Sequence, residues 1–211
     1  MTARHPAPPH RRRMSRADRE RQMLAAAEQV FAERGYRAAS MDEIAERVGV
    51  SKPMLYEYFG SKDGLMLATI AHNRAALLEA TSRAVRSGST PHEALSRGLV
   101  AYFEFAEEHR QAWSVLRNEA AVLAGAVVGV AAGEVEATRR QQIAFMADAM
   151  ASFLAQVPAV RLEAYAEMLV GACERLTLWR DRHPEVTATQ AAQYVLDLAW
   201  PALAALTPAT G

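Results

Sequence analysis

Residues 40–59 read SMDEIAERVGVSKPMLYEYF, and this stretch decides the fold. Ser40 can cap a helix, because its hydroxyl can accept a hydrogen bond from a backbone N–H of the first turn. Glu43, three residues on, completes the pattern of a capping box. Ile44, Ala45 and Val48 then fall on one helical face. Gly49 stops the helix and supplies the left-handed backbone of a tight turn. Ser51 caps a second helix, with Pro53 in its first turn, where a missing N–H costs least. Ala45 is small, as two closely crossing helices require, and Val48, Val50 and Leu55 would seal the pair against a third helix. In order and spacing, Ile44, Ala45, Val48, Gly49, Val50, Leu55 and Tyr58 match a helix-turn-helix whose second helix is free to enter a major groove. An ordinary helical hairpin in a bundle uses the same devices, so these residues alone leave both readings open.

Working outward, the third helix is supplied upstream. Ser15 caps it and Asp18 stands near its positive end. Leu24, Ala27 and Phe31 form one stripe beside Met23 and Val30, and Gly35 is its terminator. Downstream, Gly60 ends the recognition helix and Ser61 caps the next. The rest of the chain shows apolar residues at three- and four-residue spacing and no convincing alternation, so an all-α protein is expected.

Composition narrows the function classes. The 211 residues balance at net charge zero, yet residues 1–62 carry twelve Lys and Arg against eight Asp and Glu. The first part is therefore basic and the remainder acidic, as an anionic partner would favour. Arg11, Arg12, Arg13, Arg16, Arg19 and Arg21 cluster before and within the start of the first helix. They either track phosphates or dip into a minor groove, or form a solvated tail. Residues 1–14 hold Pro6, Pro8 and Pro9 with no core pattern and are expected to be a disordered arm. No apolar segment of the signal-peptide kind follows Met1–Arg13. The longest apolar run, Ala120–Ala132, is shorter than the roughly 20 residues a membrane span needs. A soluble, cytoplasmic protein is expected. The six histidines are scattered and match none of the familiar zinc spacings, and neither a phosphate-cradling Gly loop nor a GxSxG elbow is present. Hence no metal, no cofactor and no enzyme activity is expected. Cys173, the only cysteine, sits on an apolar stripe as a small hydrophobe would; a redox sensor is the alternative.

MLAAAEQVFAERGY at Met23–Tyr36 and SMDEIAERVGVSKPMLYEYFGSKDGL at Ser40–Leu65 resemble the N-terminal domain of the tetracycline repressor (TetR) family. The resemblance spans about a quarter of the chain. It implies an all-α homodimer with a three-helix helix-turn-helix DNA-binding domain, here residues 15–62. A larger helical domain, residues 63–211, would bind an effector and hold the dimer together. It also implies DNA contacts: Ser40 and Ser51 at helix N-termini, Lys52, Pro53 and Met54 nearest the bases, Tyr56 and Lys62 on phosphates, and Tyr58 near the backbone. Two departures stand out. Met54 replaces a frequent Thr or Ser, so readout there would be apolar, for instance to a thymine methyl. Glu57 is an acid on a helix facing phosphates; it either accepts from a cytosine amino group or points to solvent.

In the second part, helices are expected over 62–85, from Pro91, near Gln111–Ala120, over 134–154, over 160–182, and from about Thr189. Gly125, Gly129 and Gly133 mark an irregular region between them, since each glycine costs about 1 kcal/mol in a helix. Pro201 should kink or end the last helix near Trp200. The family places two C-terminal helices per subunit in a four-helix dimer interface, which points to Tyr165, Leu169, Ala172, Leu176, Val195, Leu196, Ala199 and Leu203. Those stripes could equally face their own core. Tyr102, Phe103, Trp113, Phe145, Met146, Met150 and Met168 are candidate walls of an effector pocket, although such a stripe is more often plain core.

The expectation is a homodimeric regulator, a repressor released from a pseudo-palindromic operator in double-stranded DNA by a small hydrophobic ligand. Two other classes stay open: a DNA-binding protein of the same fold without a small-molecule effector, and a helical enzyme or adaptor that binds no DNA.

Overall fold

The computed structural model describes residues 14–110 and 130–206, with only the backbone for residues 130–136 and 138. Among them are eight helices and no strand: α1 (Arg16–Ala38), α2 (Met41–Val48), α3 (Lys52–Phe59), α4 (Lys62–Arg86), α5 (Pro91–Glu108), α6 (Val130–Ala151), α7 (Ala159–Arg180) and α8 (Ala188–Ala204). None is long and apolar enough to cross a membrane. The arm up to Arg13, the short helix at Gln111–Ala120 with Trp113, and Gly125 and Gly129 lie outside the described residues.

Capping fixes most helix starts as the sequence suggests. Ser15, Ser40, Ser61 and Thr90 accept from the backbone N–H of Asp18, Glu43, Gly64 and Glu93. Thr187 and Gln190 form a reciprocal capping box at α8. Two expectations fail. Glu43 does not close a capping box with Ser40; its carboxylate is drawn to Arg34 of α1 at 3.3 Å and to Arg47 of its own helix at 3.6 Å. Ser51 occupies the cap position of α3, but its side chain makes no capping hydrogen bond.

Helix α1 bends at Gly35 and resumes to Ala38. Gly49 adopts φ 77°, ψ 36°, the left-handed region that a side chain makes costly. Gly64 is required for another reason. A Cβ there would stand 2.0 Å from the carbonyl oxygen of Phe59, so only glycine lets α4 start so close behind α3. Helix α6 begins at Val130 and passes through Gly133, earlier than the glycine spacing suggested. Helix α8 runs on through Pro201 to Ala204. The proline is tolerated because it lies on an exposed face near the helix end, where the carbonyl left without a donor can turn to water.

Met23, Ala27, Val30 and Phe31 of α1, Ile44 of α2, Leu55 of α3 and Leu65, Met66 and Ile70 of α4 are almost completely buried. They make the N-terminal core on which α3 rests. That core is continuous with the apolar interior formed by α4 to α8, from Leu77 to Leu203. Helix α4 is shared: it packs on α1 and α3 at its start and on α5 and α6 beyond.

Candidate nucleic-acid interface and cavities of the helical domain

Helix α3 is held through one fully buried side chain, Leu55, with Met54, Tyr58 and Phe59 half-buried beside it. The opposite face, Lys52, Pro53, Tyr56 and Glu57, is exposed. These positions fall at i, i+1, i+4 and i+5, one continuous helical face. Glu57 lies on this face with its side chain open to solvent.

The two-helix unit is braced from behind. Arg47 donates two bonds of 2.9 Å to the Glu33 carboxylate of α1, a bidentate pair of fixed geometry. That contact holds the Glu33 carboxyl below its usual range. At the other end the Tyr36 hydroxyl donates to Asp63. The Lys62 ammonium sits 4.6 Å from the centre of the Tyr36 ring and donates to the Arg37 carbonyl at 3.3 Å. Lys62, expected to face phosphate, is thus held half-buried in the joint between α1 and α4, where it pins the start of α4.

Lys52 is also engaged. Its ammonium is 2.8 Å from the Asp42 carboxylate of α2, and that hydrogen bond raises its pKa. Both groups are exposed, so the pair adds little stability. It holds a negative charge beside the lysine expected nearest the bases. Asp42→Asn should therefore raise affinity for duplex DNA at low salt by about fivefold, the roughly 1 kcal/mol that one charge is worth a few ångströms from phosphate in water. Thermal stability should not change. Fluorescence anisotropy checks this, and reduced affinity would mean that Asp42 is needed to aim Lys52.

Two arginines of the basic cluster at the start of α1 meet this helix. The Arg16 guanidinium lies 5.0 Å from the centre of the Tyr58 ring, and Arg19 donates to the Met54 sulfur at 3.7 Å. Met54 is therefore half-covered, with Arg19 against its sulfur. The signal was present in sequence: Arg16 and Arg19 are spaced i, i+3 and share one face of α1.

Elsewhere the expected pocket residues divide. Tyr102, Phe145 and Met146 line a small void of about 20 Å3 with Thr81, Gln142 and Cys173. Phe145, Met146 and Met150 line a larger cavity of about 540 Å3 between the α4–α5 turn and the end of α6. Phe103 lines neither. It is wholly buried core, edge-on to Tyr102. Met168 is corrected outright: it is 60% exposed on the outer face of α7. Cys173 is buried, which pushes its thiol up to about 12. Such a thiol is neither reachable nor ionised, against the sensor reading.

The outer faces of α7 and α8 form an apolar groove of about 260 Å3. Of the residues expected at a dimer interface, Tyr165, Leu169, Ala172, Val195, Ala199 and Leu203 line it, together with Met168, Leu198, Ala202 and Leu206, which were not among them. Leu198 is 81% exposed. Leu196 is corrected: it is buried against its own subunit and absent from the groove, as is half-buried Leu176.

Comparison with known proteins places these features. Residues 23–69 match the profile described as bacterial regulatory proteins, tetR family, and residues 91–202 match that of the tetracyclin repressor-like C-terminal domain. The HTH-type transcriptional activator FasR of Mycolicibacterium smegmatis is 40% identical over 104 residues, 49% of this chain and 48% of that protein; the match thus spans about half the length of this relative. A TetR-like transcriptional regulator from Rhodococcus sp. RHA1, known by crystal structure, is 38% identical over 91% of this chain and 99% of its own, with a TM-score of 0.69. FadR from Bacillus subtilis, solved in complex with stearoyl-CoA, shares the fold at 16% identity, with a TM-score of 0.71 over 85% of this chain and 96% of its own.

Proposed function

The chain belongs to the TetR family of bacterial regulatory proteins, and on that premise we propose that it is a cytoplasmic transcriptional regulator, not an enzyme. It acts as a homodimer that represses transcription from a pseudo-palindromic operator and is released by a small, largely hydrophobic ligand. Residues 15–62 are the DNA-binding domain and 63–211 the effector-binding and dimerisation domain. The observation that carries this reading is the helix α3, anchored by fully buried Leu55 and presenting Lys52, Pro53 and Tyr56 outward.

In a dimer, two copies of α3 would stand about 34 Å apart, one turn of DNA. Ser40, Ser51, Tyr56 and Tyr58 would meet the backbone, with Arg16 and Arg19 beside them. Lys52, Pro53 and Met54 would lie towards the bases. Tyr56→Phe should weaken binding to all sequences alike, whereas Lys52→Ala or Met54→Ala should change base preference. Duplex selection with each variant separates the two effects, and an unchanged preference in the Lys52 and Met54 variants would displace them from the base-reading role.

Ligand control would pass through α4, which borders both cavities' domain and the DNA-binding head. Its start is tied to α1 by Tyr36–Asp63 and Lys62 and to α3 through Gly64. A ligand acts only through its different affinity for the two positions of this helix. A coupling of about 3 kcal/mol would weaken operator binding roughly 150-fold.

Activation is the second reading, favoured by the name of FasR, an activator 40% identical over about half its length. Transcription in vitro from a promoter carrying the bound sequence decides between them. Repression lowers transcript as protein is added and recovers with ligand; a rise in transcript with added protein would establish activation.

A further inference from the structure

We propose that Glu57 is a base-reading residue of α3, whose carboxylate accepts from the amino group of a cytosine in each half-site and selects the operator there. The inference rests on the regulator reading above and adds a specificity determinant to it.

Nothing in the fold accounts for an acid at this place. Glu57 is exposed in the last turn of α3, where the helix dipole is negative and disfavours a carboxylate. Its neighbours on the helix surface, three and four residues back, are Met54 and Pro53, neither of which carries a positive charge or a side-chain donor. Among the described residues its carboxylate meets no hydrogen-bond donor and no counter-charge.

General attraction to DNA does not account for it either. A carboxylate a few ångströms from phosphate weakens binding about fivefold. Lys52, the cation on the same face, is already paired with Asp42 at 2.8 Å. These three groups leave the outward surface of α3 with an excess of negative charge. The cations lie to the side, Arg16 at the Tyr58 ring and Arg19 at the Met54 sulfur. Basic flanks suit phosphate, and an acidic centre suits only base edges. Glu57 stands one turn beyond Pro53 on the outward face, so a helix that turns Pro53 towards the bases carries Glu57 over the same groove.

The chemistry of that groove names the base. A carboxylate only accepts hydrogen bonds. Guanine N7 and O6, adenine N7 and thymine O4 are acceptors and repel it; the donors are the amino groups of cytosine and adenine. Adenine carries its amino group beside N7, whereas cytosine presents an amino group with no acceptor on the same base edge. Selection thus comes as much from the bases Glu57 rejects as from the one it accepts.

The test is selection of bound duplexes from a random library with the full chain and with its Glu57→Gln and Glu57→Ala variants, at one salt concentration. The side chain has no partner to lose, so both variants should keep the parent's fold, checked by circular dichroism. The parent should enrich cytosine at one position of each half-site, roughly tenfold over the other bases. Glu57→Gln should move that position to adenine, the base glutamine reads, and Glu57→Ala should leave it unselected. Every other position should stay as it was, while unrelated duplexes bind both variants about fivefold more tightly. An enriched sequence that all three proteins share, with or without a general rise in affinity, would overturn the inference and leave the regulator reading standing. So would a base other than cytosine at the position the variants change. A change spread over every position would overturn it as well, because that marks a displaced α3. Enrichment of no sequence by the parent would overturn the inference together with the regulator reading.

Discussion

Leu198→Arg should convert the protein from dimer to monomer and remove most of its operator affinity. The side chain is 81% exposed, and Met168 across the groove is 60% exposed. Contiguous apolar surface of this kind marks an interaction site on a soluble domain. Leu198 packs so little against its own subunit that arginine there leaves the isolated fold undisturbed. In a two-fold interface the substitution enters twice, and each unpaired charge buried by association costs several kcal/mol. The dissociation constant of the dimer should rise at least 100-fold, about 3 kcal/mol. Operator affinity should fall with it, because each recognition helix then binds its half-site alone. Sedimentation equilibrium with circular dichroism checks both parts. A dimer mass that survives the substitution would show that the α7–α8 groove is not the interface.

Leu55→Ala should produce the largest loss of stability in the DNA-binding head. Leu55 is fully buried and is the single side chain of α3 that is. Truncations of this kind cost about 2–5 kcal/mol, depending on how far the cavity collapses. Helix α3 has only eight residues, too short to persist without packing, so the loss should appear as local opening of α2–α3. Operator binding should fall at least tenfold while the dimer mass and most helix content persist. Amide hydrogen exchange gives the readout, with protection lost over Ile44–Phe59 and retained in α5, α7 and α8. Uniform loss across the chain would mean that head and helical domain unfold as one unit.

How much of this was legible in the sequence follows from the range of the forces involved. Caps and turns are local, so Ser15, Ser40, Gly49 and Ser61 could be assigned from their neighbours alone. The capping box at Glu43 could not, because Arg34 of another helix competes for the same carboxylate. The resting place of Lys62 was hidden for the same reason: the Tyr36 ring and the Arg37 carbonyl it meets lie some 25 residues upstream. In the helical domain the difficulty is different. Helices α7 and α8 carry apolar residues around much of their circumference, so periodicity cannot say which face meets the subunit's own core and which meets another chain. Leu196 and Leu198 are two residues apart, equally apolar, and fall on opposite sides of that division. The pocket residues were partly legible. Tyr102, Phe145, Met146 and Met150 border cavities, whereas Phe103 is packing and Met168 belongs to the outer groove.

The central claim is that this chain reads DNA as a dimer, through α3. Selection of bound duplexes from a random library with the purified protein, repeated across salt concentrations, tests it most directly. The expected result is an enriched pseudo-palindrome with half-sites about one helical turn apart and affinity falling steeply as salt rises. Enrichment of no sequence, or of a single half-site without two-fold symmetry, would contradict it.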